Sequence, residues 1–158
     1  MFDSIRKFLS DLAEGETHES HFQDDDYRLA AAALLVHAAT IDGNVSDAER
    51  TKLRDLLKQR FALDDAMTDE LVREATEAEQ ESVDLYRFTS LLNRKLNEEG
   101  RLRIIEMLWE IAYVDGKATE LEDNMIWRAA DLLGVSSRDR VNLRQSVIEA
   151  NKLSGQDE

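Results

Sequence analysis

Four carboxylates stand out in this sequence because they recur in one setting. Asp42 and Glu49 lie in IDGNVSDAE (Ile41–Glu49), and Asp115 and Glu122 lie in VDGKATELE (Val114–Glu122). An offset of 73 positions carries Leu35–Glu49 onto Leu108–Glu122, with identity at Asp42/Asp115, Gly43/Gly116 and Glu49/Glu122. Both copies read apolar helix, Asp-Gly, one polar residue, one small apolar residue, Ser or Thr, two residues, Glu. A unit used twice in one small chain predicts a pseudo-two-fold pair of helix–turn–helix units, and a turn that does its work twice.

Carboxylate oxygens are hard ligands suited to Ca²⁺, Mg²⁺ or Mn²⁺. Counted as an EF-hand loop from its sixth-position glycine, Glu49 and Glu122 fall at position twelve and Asp42 and Asp115 at position five. The first and third positions are Ala38 and Thr40 in one copy and Ile111 and Tyr113 in the other, so neither loop is an EF-hand. What remains is half a loop per copy. Two half-loops brought together would converge Asp42, Glu49, Asp115 and Glu122. Like charges about 4 Å apart repel by roughly 4 kcal/mol at an effective dielectric of 20, which calls for a cation or a shared proton. Capping is the competing account. Ser46-x-x-Glu49 and Thr119-x-x-Glu122 are capping boxes, each N-cap contributing about 1 kcal/mol. Gly43 and Gly116 suit the C′ position of the preceding helices. Val45 and Ala118 can pin the turns to a core. Capping leaves one feature over: an acid precedes the glycine in both copies, near the negative end of a helix macrodipole, at a cost of about 0.3–1 kcal/mol.

Other polar groups make weaker constellations. His37 precedes Asp42 by five residues on an apolar helix, and its repeat counterpart is Glu110; a buried histidine hydrogen-bonded to a neighbour is the expectation, a third ligand the alternative. His18 and His21 have chelating spacing but sit in an acid-rich stretch that cannot preorganise a site. Arg94, Lys95, Arg101 and Arg103 form a basic edge at a helix junction, and Trp109 and Trp127 read as core or groove-lining residues. There is no Ser-His-Asp arrangement, glycine-rich phosphate loop or HExxH. No enzyme is therefore expected, a metal-dependent hydrolase being the third-ranked reading.

The elements that position these residues read as helices throughout. The 158 residues contain no proline, six glycines and no alternating strand pattern, which predicts an all-α, compact bundle of about seven or eight helices. Tyr27–Gly43 and Arg101–Gly116 are apolar almost all round and predict two buried helices. Asp64 or Asp65, Ser82 or Asp84, and a residue near Ser136 are candidate helix starts, the last helix carrying Val141, Leu143 (or Arg144) and Val147. Residues 1–25 are expected to be an amphipathic helix (Phe2, Ile5, Phe8, Leu9 and Leu12 on one face) and an acidic, solvated linker. Residues 26–151 form the domain and residues 152–158 a fraying tail. The chain carries 34 acidic and 20 basic residues, a formal charge of −14, which disfavours nucleic acid as a partner. With no cysteine, disulfides and thiolate sites are excluded. No apolar run approaches the roughly 18 residues of a membrane span, and no signal-peptide pattern opens the chain. A cytoplasmic protein with a protein partner is expected, with peripheral membrane contact by residues 1–13 as the alternative.

The duplicated Asp-Gly-x-Val/Ala-Ser/Thr-x-x-Glu pattern, within an acidic helical chain, resembles the TerB-like family, which is named for tellurite-resistance proteins. A related domain precedes the J-domain in some membrane-anchored co-chaperones. The resemblance spans about Asp26 to Asn151. It implies an all-α bundle, a bacterial stress-associated role and divalent-cation binding by the motif acids, here Asp42, Glu49, Asp115 and Glu122. Co-chaperone activity does not transfer, because a chain without proline has no His-Pro-Asp signature. Tellurite is an anion, so direct capture by an acidic turn is disfavoured.

Overall fold

The computed structural model describes residues 22, 23, 26–43, 45–82 and 85–156. These form α1 (Tyr27–Thr40), α2 (Asp47–Arg60), α3 (Asp65–Glu81), α4 (Tyr86–Lys95), α5 (Glu98–Ala112), α6 (Glu120–Leu132) and α7 (Ser137–Gln156). Among the described residues there is no strand, as the sequence leads one to expect.

The two helices that are apolar all round lie at the centre. α1 buries ten residues, six of them alanines, whose small side chains let neighbouring helices approach closely. Accordingly α2, α3, α4, α5 and α6 all pack against it. α5 buries Ile104, Ile105, Met107, Leu108, Trp109, Ile111 and Ala112 and touches α1, α2, α6 and α7. The outer helices are one-sided: α2, for example, buries Leu53, Leu56 and Leu57 and, Glu49 apart, keeps its charged residues at least partly exposed. Among the described residues, no helix is long and apolar enough to cross a membrane.

Short polar side chains start most of the helices. Asp26, Ser46, Asp64, Asn97 and Thr119 each accept a backbone N–H from the first turn, and Ser136 accepts from Asp139 N at 3.1 Å. Ser82 does not start α4, as the sequence suggested. It ends α3, its hydroxyl donating back to the Ala78 carbonyl at 2.9 Å, and α4 begins after Leu85 without a side-chain cap. The other candidate, Asp84, lies outside the described residues.

Several expectations need correction. The glycines of the repeat are not at C′. α1 is capped by Ile41 and α5 by Tyr113, and each chain then makes a further reversing turn. Thr40 C=O accepts from Gly43 N at 3.0 Å, and Tyr113 C=O accepts from Gly116 N at 2.9 Å. Both glycines have positive φ, +84° and +99°, which a side chain would strain. The true C′ glycine is Gly134 after α6, with φ +72° and a Val135 N to Ala130 O bond of 2.9 Å. Asp42 and Asp115 therefore stand in the turn beyond the helix end, outside the last helical turn where the macrodipole acts most strongly.

Phe22, placed by its acidic neighbours in the solvated linker, is buried in the core with the Arg28 guanidinium 4.8 Å from its ring centre. The last helix continues to Gln156, past residue 152 where fraying was expected, and its Val141 is exposed while Val147 is buried. The amphipathic segment 1–13 and the His18/His21 pair lie outside the described residues.

Candidate functional site

Each reversing turn leads into a complete capping box. Ser46 Oγ accepts from Glu49 N at 3.0 Å, and Glu49 Oε1 accepts from Ser46 N at 3.0 Å. In the second copy Thr119 Oγ1 accepts from Glu122 N at 3.1 Å, and Glu122 Oε1 accepts from Thr119 N at 2.8 Å. Val45 and Ala118, at equivalent places, are half-buried against the core. Turn chemistry alone accounts for this much of the repeat.

The two copies also meet. Ser46 Oγ donates to Asp115 Oδ2 at 3.2 Å, a contact between residues 69 apart in sequence. Glu49 and Glu122 are both buried, at 6% and 3% exposure, which is unusual for glutamates at the start of amphipathic helices. Their carboxyl groups lie within interaction range of each other. Burial, and then repulsion from and hydrogen bonding to Glu49, push the Glu122 carboxyl above the ordinary range; its bonds to Thr119 oppose the shift without cancelling it. Two carboxyls so placed are relieved by a positive charge between them, a proton or a cation.

Of the four predicted site residues, Glu49, Glu122 and Asp115 are thus brought to one corner, through Ser46 in the case of Asp115. Asp42 is half-buried in the first turn, at the place corresponding to Asp115 in the second. Among the described residues, no group of three or more His, Asp or Glu side chains is placed to hold a metal ion. The donors are all hard oxygens. Sequence reasoning assigned Ser46 to capping alone. Its second role, as the link to the other turn, depends on how α1 and α5 pack and leaves no local signal.

The remaining candidates have other partners. His37 Nδ1 is hydrogen-bonded to Glu79 Oε2 at 2.9 Å, as expected for a histidine bonded to a neighbour, although the ring is only half-buried. It borders a cavity of about 340 Å³ between the end of α1, the end of α3, the start of α4 and α6. Its repeat counterpart Glu110 accepts from Arg60 at 3.0 Å; burial raises its carboxyl, with Arg60 and Lys52 acting in opposition. In the basic edge, Arg101 donates to the Leu96 carbonyl at 2.7 Å and Arg103 pairs with Glu106 at 3.0 Å. Trp109 is a core residue whose indole N–H donates to the Arg140 carbonyl at 3.2 Å. Trp127 differs: it is half exposed, with the buried Arg140 guanidinium stacked 3.4 Å from its ring centre.

Comparison with known protein families matches residues 28–145 to the family described as Tellurite resistance protein TerB. The match covers α1 to α6, both acidic turns and the first part of α7. Neither the curated proteins nor the solved structures compared with the chain give a match.

Proposed function

The chain belongs to the tellurite resistance protein TerB family, and we propose that within it the chain is a non-enzymatic stress-response module that takes up a divalent cation at its paired turns and engages a protein partner. One observation carries this reading: two turns 73 residues apart are folded into one corner where Glu49 and Glu122 meet. Two buried carboxyls in contact require a compensating positive charge, and a proton or a cation supplies it. Ca²⁺, Mg²⁺ or Mn²⁺ suits the donor set, with Glu49 and Glu122 as the inner ligands and Asp42 and Asp115 contributing from the turns. A bound ion would neutralise the corner and tie the two helix–turn–helix units together. The glutamates themselves each accept a backbone N–H hydrogen bond on one oxygen, which suits fixed ligands better than an acid and base that must exchange protons with a substrate. The partner's place is beside the turns. Ile41 and the exposed Leu121, which both line the 340 Å³ cavity, are the chain neighbours of Asp42 and Glu122, so the ion and the partner would act on adjoining residues.

The second reading is a metal-free interaction scaffold. It is favoured by the capping bonds, which already engage one oxygen of each glutamate. Calorimetric titration of the full chain with Ca²⁺, Mg²⁺ and Mn²⁺ separates the two, repeated on Asp42→Asn and Asp115→Asn. Saturable heat in the wild type that weakens in both variants supports the cation; no heat with any of the three ions leaves the scaffold.

A further inference from the structure

A second cleft lies away from the acidic corner. Leu29 and Ala30 of the first turn of α1 form part of it, with Ala78 of α3 and Phe88 and Leu91 of α4. It has a volume of about 180 Å³. Arg87 and Arg94 complete its lining. Seven residues apart on one helix, they share a face about 10 Å along its axis. In a chain of formal charge −14, neither has an acidic partner among the described residues. An apolar floor with an unneutralised basic edge fits an apolar segment flanked by acids.

The chain itself contains such a segment. Phe2, Ile5, Phe8, Leu9 and Leu12 recur at helical spacing, and the stretch from Glu14 to Asp26 carries six acids and no lysine or arginine. The tether also fits. Phe22 is anchored in the core, and the cleft begins at Leu29, only seven residues further on. The ten residues from Leu12 to Phe22 can span on the order of 35 Å, more than the radius of a domain this size.

We propose that residues 2–12 of the chain dock over this cleft, with Phe8, Leu9 and Leu12 covering its floor and Glu14, Glu16 and Glu19 facing Arg87 and Arg94. A short tether sets an effective concentration in the millimolar range, so contacts too weak to hold a free peptide suffice to keep the segment closed most of the time.

The chain has no cysteine, so an introduced pair reports proximity without background. In the full chain, Leu12→Cys with Arg94→Cys should oxidise to a bridge within one molecule. A bridge only between molecules assigns the cleft to a second copy and overturns the proposal, as does no bridge at all. Hydrogen exchange on the cysteine-free chain gives an independent readout. Amides of residues 2–12 should exchange about tenfold slower than in an unstructured peptide, the retardation expected of a segment closed nine-tenths of the time. Arg87→Glu with Arg94→Glu should remove that protection, and adding Glu14→Lys, Glu16→Lys and Glu19→Lys should restore it, a rescue that only direct contact explains. Peptide-like exchange in the wild type, or protection that arises only when anionic lipid vesicles are added, overturns the proposal; the latter makes the segment a membrane contact instead.

Discussion

Glu122→Gln tests for a proton shared between the two turns. The glutamine carbonyl can still accept from Thr119 N, which Glu122 Oε1 now does at 2.8 Å, and glutamine is an accepted third residue of a capping box. Its amide N–H₂ can donate to Glu49, as a protonated Glu122 does. The variant therefore behaves like the protonated wild type at every pH. The sign follows from the raised Glu122 carboxyl. The native chain keeps a proton that the unfolded chain releases near pH 4.3, so the stability of this corner is whole below that pH and is lost as pH rises through the folded value. Two carboxylates about 4 Å apart repel by roughly 4 kcal/mol at a dielectric of 20, and solvent at the rim of the turns reduces this to about 1 kcal/mol. In chelator, urea unfolding followed by circular dichroism should show the variant equal to wild type near about pH 4 and about 1 kcal/mol more stable near about pH 8. A divalent cation at about a hundred times its dissociation constant should stabilise the wild type by about 2.7 kcal/mol and the variant by much less, reversing their order. A variant that is less stable than wild type by a similar amount at every pH, with or without cation, would refute the shared-proton argument and leave Glu122 as a helix cap.

Three further changes test the turns and the core. Ser46→Ala removes a cap and the bond to Asp115, whereas Thr119→Ala removes a cap alone; a double-mutant cycle of Ser46→Ala with Asp115→Asn should give a coupling of about 0.5–1 kcal/mol in unfolding free energy, and additivity would deny the cross-turn contact. Gly43→Ala and Gly116→Ala should each cost about 1–2 kcal/mol of stability from backbone strain alone, since an added Cβ at either meets nothing within 4 Å, and Asn at the same positions should cost less. Trp109→Phe should lower the urea midpoint by the equivalent of about 1–3 kcal/mol because it leaves the Arg140 carbonyl without its buried donor, and an unchanged midpoint would show that this bond contributes nothing.

The extent to which sequence revealed this molecule follows the range of each interaction. Capping boxes, the two buried helices and the positive-φ glycines depend on residues within a few positions of one another, and they are readable. The helix ends shifted slightly because a reversing turn after the helix and a C′ cap both favour glycine, and only the turn's hydrogen bonds tell them apart. Phe22 was hidden by its neighbours: one aromatic among acids does not change the character of a stretch, yet a single ring under Arg28 is enough to bring that stretch into the core. The His37–Glu79 bond joins residues 42 apart and has no sequence signal.

The acidic corner shows why local reading set up a false choice. From sequence, capping and ion binding compete to explain Glu49 and Glu122. In the fold each glutamate uses Oε1 to cap its own helix, and a carboxyl group has a second oxygen to offer. Capping fixes the side chain in one rotamer and holds it at the first turn of the helix. The packing of α1 against α5 then presses the two capped turns together. The carboxyls are buried because they cap, and they meet because the unit is duplicated. The same residues thus close the helix starts and create an electrostatic demand that a proton or the proposed cation would meet.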